Sequence, residues 1–74
     1  MNEETFKVRA YGYGELAQLY FPNITNRSAT IQFRKWIKTN KKLKKELEDN
    51  FYKSGQRLLT PLQVKIIIEF LGEP

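Results

Sequence analysis

Residues 11–39, "YGYGELAQLYFPNITNRSATIQFRKWIKT", decide how this chain folds. Their first part, Gly12-Tyr13-Gly14-Glu15-Leu16-Ala17, fits G-x-G-x-x-A, and the alternation in Phe6–Ala10 before it reads as a short strand, the setting of a dinucleotide-binding loop. Such a loop needs a parallel sheet built from repeated units and a ribose-binding acid roughly 20 residues further on. After Glu15 the next carboxylate is Glu46, and the whole chain has 74 residues. The glycines are better read as the way into a helix. That helix starts at Gly14, its N-cap, carries Glu15 in the first turn where the helix dipole favours a negative charge, and runs to about Tyr20 with Leu16, Leu19 and Tyr20 on one face. Pro22 stops it.

After the turn, Thr25 or Asn26 offers a capping oxygen to a second helix reaching about Thr39. Ala29, Phe33, Trp36 and Ile37 recur at core spacing along it, so Trp36 reads as a buried residue. The outer face carries Arg27, Ile31, Arg34, Lys35 and Lys38. A lone apolar group among cations suits contact with thymine methyls, although single exposed apolar residues are common.

Asn40 caps a third helix with Leu43, Leu47 and Phe51 as its stripe. Its charges oppose the dipole: Lys41, Lys42, Lys44 and Lys45 crowd the start, while Glu46, Glu48 and Asp49 follow. Either these lysines serve a function or the helix is short and they are merely solvated. In "FYKSGQRLL", residues 51–59, Ser54-Gly55 between apolar pairs predicts a short hairpin or extended loop to which Phe6–Ala10 could add a strand. The chain closes with a helix signalled by Thr60 as cap, Pro61 at the first position, Gln63 completing a capping box and Gly72 as the stop. Val64, Ile67, Ile68 and Leu71 form its core stripe. Leu62, Ile66 and Phe70 form a second stripe, a candidate interface for a homodimer or another protein, or else covered within the chain.

The expected fold is thus mainly α with a small β element. Four short helices lie in a helix-turn-helix or winged-helix-like arrangement, and a short N-terminal strand pairs with a hairpin near residues 51–59. One domain spans 1–74, with residues 1–5 flexible. Hydrophobic residues make up 41% of the chain and aromatics 14%, enough for a folded protein. No stretch approaches the ~20 apolar residues of a membrane span, and the polar start lacks the features of a signal peptide, which points to a cytoplasmic protein. Without cysteine or histidine, disulfides and the usual transition-metal sites are excluded, as are nucleophile-base pairs built on either residue. Neither an enzyme with a small-molecule substrate nor a cofactor is expected.

Charge is concentrated in the middle. Between Arg27 and Arg57 ten cations face three carboxylates, a net of +7, whereas the segments before and after each carry −1. Such a concentration suggests a polyanionic partner, although most charge runs are solvated faces. The leading reading is a DNA-binding module for double-stranded DNA, a small transcriptional or mobile-element regulator. Arg27, Ser28, Ile31 and Arg34 contact bases, and Lys35, Lys38, Lys41, Lys42, Lys44, Lys45, Lys53 and Arg57 contact phosphates. The alternative is a protein-interaction module using Leu62, Ile66 and Phe70. RNA binding, with Tyr11, Tyr13 and Tyr20 stacking on bases, is a third reading, without an RNA-binding motif to support it.

The stretches "YGYGELAQLYFP", "FRKWIKTN" and "RLLTPLQVKIIIEFLGEP" closely resemble a family of small uncharacterised proteins from the Bacteroides group, a domain of unknown function. That resemblance implies a fold and a source rather than an activity. The order of Glu15-Leu16-Ala17, Trp36-Ile37-Lys38 and Leu59-Thr60-Pro61 is also similar to the winged modules of excisionase and MerR type. The chain departs from those modules in the longer turn Pro22–Asn26 and in the lysine-rich segment 40–50 before the expected wing.

Overall fold

Each helix begins where a side chain or backbone group can satisfy its free N–H groups. The computed structural model describes residues 6–74, and the expected flexibility of residues 1–5 lies outside them. In chain order the elements are β1 (Tyr11–Gly12), α1 (Tyr13–Tyr20), α2 (Asn26–Thr39), α3 (Lys41–Asp49), β2 (Leu58–Leu59) and α4 (Pro61–Leu71). Four helices with a small two-stranded antiparallel sheet is the mainly α architecture the sequence predicts.

The strand pairing differs in detail. Tyr11 pairs with Leu59 and Gly12 with Leu58, so the first strand lies after Phe6–Ala10 rather than within it. Within 51–59 only Leu58–Leu59 is a strand, and no hairpin forms there. Residues 53–56 are polar and turn tightly instead: Gln56 N–H donates to the Lys53 carbonyl at 3.1 Å, and Gly55 takes a φ of 85° that a side chain would resist.

The glycines at the head of α1 have two separate jobs. Gly12, not Gly14, is the N-cap, and the Glu15 carboxylate accepts its N–H at 3.1 Å. Gly14 lies in the first turn, where a Cβ would come within 3.1 Å of Asn26 Oδ1. Asn26 Nδ2 donates to the Gly14 carbonyl at 3.0 Å, so the missing side chain lets the start of α2 close on the start of α1. Gln18 fixes the turn between the helices by donating to the carbonyls of Phe21 and Ile24.

The caps of α2, α3 and α4 follow the sequence. Thr25 Oγ1 accepts from Ser28 N–H, Asn40 Oδ1 from Leu43 N–H, and Thr60 Oγ1 from Gln63 N–H, while the Gln63 side chain returns to Thr60 N–H. A single core gathers Leu16, Ala17, Ala29, Phe33, Leu43, Leu47, Leu59, Val64 and Ile67 with Tyr11, Tyr13, Ile37 and Ile66.

Three expectations about burial are corrected. Trp36 is 39% exposed, because the core side of α2 is already filled by Ala29, Phe33 and Ile37 and the indole lies on the flank. Phe51 is 87% exposed, since α3 ends at Asp49 before its stripe can reach that position. Ile66 is buried while Leu62 and Phe70 are exposed, so these three do not form one continuous outer stripe.

Candidate nucleic-acid interface

The 14 residues of α2 contain no carboxylate, and at 1.5 Å per residue the helix is about 21 Å long. Three of its residues, Ala29, Phe33 and Ile37, face the core. Helical spacing then sends Arg27, Ser28, Ile31, Lys35 and Lys38 to the opposite side, where all five are exposed. Ile31 is 44% exposed in the middle of this cationic face. None of its cations pairs with a carboxylate among the described residues.

Arg34 lies on the flank of that face. Its guanidinium stands 5.8 Å from the centre of the Tyr13 ring, and Tyr13 in turn is 3.5 Å, hydroxyl to hydroxyl, from Tyr52. Burial pushes the Tyr13 hydroxyl well above the ordinary tyrosine range, with the Tyr52 hydrogen bond adding to the rise and Arg34 opposing it. Arg34 has no carboxylate partner among the described residues, which leaves the guanidinium open to an incoming anion. Together with Lys38, Lys44, Tyr52 and Ser54 it lines a cleft of about 160 Å³ between α2, α3 and the loop after α3. Glu48 shares this cleft and stands 4.0 Å from the Lys44 ammonium, partly offsetting it.

The remaining expected phosphate contacts are divided. Lys45 points away and stands 3.6 Å from Asp49. Lys53 and Arg57 are exposed on the loop that leads into β2, and that loop is held in place: Tyr13 N–H donates to the Arg57 carbonyl at 2.7 Å. Lys41 and Lys42 line a different groove, beside Trp36 and Phe70. The basic segment is thus split between two sides of the molecule.

Gln63 is more than the cap its sequence position announces. Almost fully buried at 1% exposure, it donates to the Asn50 carbonyl at 2.9 Å and accepts from Gln56 at 2.6 Å, tying the loop after α3 to α4. A polar residue inside an apolar helix face is the signal in the sequence that points to this role. Tyr11 and Tyr13 are buried at 5% each, which removes them as stacking partners for bases and leaves only Tyr20 of the three partly accessible.

No group of three acidic residues is placed to hold a metal ion among the described residues, and no helix there is long and apolar enough to cross a membrane. A family model described as a domain of unknown function (DUF4248) matches residues 7–74. The chain belongs to that family. No curated protein and no solved structure matches it.

Proposed function

We propose that this protein binds double-stranded DNA in the manner of a helix-turn-helix module, with α2 in the major groove. The observation that supports this most is the carboxylate-free outer face of α2, continuous on one flank with the Arg34–Lys38–Lys44 cleft. A major groove about 12 Å wide admits a helix, and the N-terminal turns of a reading helix meet the base edges. Arg27, Ser28 and Ile31 occupy those turns. Spacing alone groups Arg34 with them; held beside Tyr13, it suits a phosphate better, together with Lys38, Lys44 and Ser54. Lys35, Lys53 and Arg57 extend the phosphate contacts on either side. In this reading the loop between Tyr52 and Arg57 stands where a winged module carries its hairpin, without forming one.

Titration of labelled random duplex with the purified protein at several salt concentrations tests the proposal. Binding with a dissociation constant of roughly 10⁻⁴ to 10⁻⁶ M at physiological salt is expected, tightening steeply as salt falls because each phosphate contact releases counterions. Absence of binding even at ~50 mM salt contradicts it.

A further inference from the structure

On the flank of α2 away from the Arg34 cleft, an open groove of about 740 Å³ runs between the ends of α2 and α4 and the start of α3. Trp36, Phe70 and Leu71 form its apolar wall, and Lys41 and Lys42 stand along its rim. Trp36 and Phe70 are 39% and 40% exposed, so each presents a large apolar face to whatever enters. The indole is nonetheless held firmly: its ring centre lies 4.6 Å from that of Phe21 and 5.8 Å from that of Tyr20. A fixed aromatic wall loses little entropy when it is covered.

The lysines add a sign to this surface. Of the four that open α3, Lys44 and Lys45 have carboxylates one turn on, Glu48 and Asp49, within 4.0 Å. Lys41 and Lys42 have no ion-pair partner among the described residues. They also occupy the first two positions of α3, where the helix dipole is positive and cations are unfavourable. An anion arriving at the rim offsets both charges at once. Apolar wall and cationic rim together complement a carboxylate next to a large apolar side chain.

We propose that this groove docks an acidic-apolar peptide segment of a partner protein, an aromatic or branched aliphatic side chain packing on Trp36 and Phe70 while an adjacent carboxylate meets Lys41 and Lys42. A single-stranded nucleic acid fits less well. It asks for successive stacking platforms along a cationic track, whereas the cations here are sequence neighbours beside one confined wall. The groove shares no lining residue with the Arg34 cleft, so a peptide bound in it leaves the residues of that cleft unoccupied.

Trp36 is the only tryptophan in the chain, and its fluorescence reports on the groove directly. The intact protein is titrated with a synthetic peptide of aspartates alternating with leucine and phenylalanine. Its counterparts carry lysine for aspartate, or serine for the apolar residues. The acidic-apolar peptide is expected to shift the emission saturably, and neither counterpart should do so. Lys41→Glu with Lys42→Glu should weaken that binding at least about tenfold, and Phe70→Ser should act likewise, while Lys35→Glu on the outer face of α2 should leave it unchanged. If the double charge reversal lowers helicity, Lys41→Gln with Lys42→Gln is the replacement and should still weaken binding. The proposal is overturned if the acidic peptide gives no saturable change or if the lysine peptide binds equally. An oligothymidylate shifting Trp36 in its place also overturns it, as does a dimer in sedimentation that Phe70→Ser dissolves.

Discussion

Phe33 sits where α1 and α2 meet, fully buried, with the Tyr13 ring 5.2 Å away on one side and Tyr20 stacked at 5.4 Å on the other. Phe33→Ala removes a fully buried ring and should cost about 3 to 5 kcal/mol, most of the stability of so small a domain. Trp36→Ala, on the exposed flank, should cost only about 1 to 2 kcal/mol, so thermal melts should separate the two variants clearly. Spacing alone places both residues on one stripe, because Trp36 follows Phe33 by three positions. The distinction depends on which of the two the aromatic rings of α1 enclose, Tyr13 and Tyr20 lying against Phe33, which is not local information. Tyr20 carries a further consequence: burial, and then Glu73 nearby, push its hydroxyl up to about 12, and it donates to the Gly72 carbonyl at 2.5 Å. A raised pKa means that the folded state holds this proton more tightly than the unfolded chain does. Its contribution is fully present below the ordinary tyrosine value near 10 and is lost as pH rises from there through about 12. Denaturant midpoints should therefore fall over that alkaline window in the parent, and fall less in Tyr20→Phe.

The third helix shows how an element can be legible at one end and not at the other. Asn40 before a leucine-bearing run is a local signal, complete within four residues, and the cap forms as read. The same holds for Thr60, Pro61 and Gln63 at the start of α4. The end of α3 follows different physics. Phe51 N–H donates to the Glu48 carbonyl and Tyr52 N–H to that of Leu47, the paired bonds of a Schellman turn, and Phe51 occupies the left-handed position with a φ of 71°. A phenylalanine there costs roughly 1 to 2 kcal/mol relative to a right-handed conformation, and it gains no burial in return. Phe51→Gly should therefore stabilise the protein by up to about 1 kcal/mol, read as a higher melting temperature; a lower one would mean that the exposed ring contributes packing after all. Strand pairing is the least legible feature, since Tyr11 and Leu59 meet from opposite ends of the chain and each strand is only two residues long.

Across the whole molecule, the sequence shows how much positive charge there is but not how it is divided. A run of lysines at 41–45 reads as one patch, yet helical geometry sends Lys44 to the Arg34 cleft, Lys45 outward to Asp49, and Lys41 and Lys42 to the Trp36 groove. The outer face of α2 is legible because its periodicity is regular and its composition carries no carboxylate. The proposed division of labour follows from this placement: the face with Arg27, Ser28 and Ile31 reads sequence, and the Arg34 cleft supplies position and affinity. Selection of a preferred site from a random duplex pool, followed by salt titrations of two variants on that site and on random duplex, tests it directly. Arg27→Ala should lose about 1 to 3 kcal/mol on the preferred site and much less on random duplex. Replacing Arg34, Lys38 and Lys44 by glutamine should weaken binding to both alike and flatten the salt slope by roughly 0.9 for each phosphate no longer neutralised. If selection enriches no sequence, or if both variants weaken binding in the same sequence-blind way, α2 is not a reading helix and the proposed division of labour is contradicted.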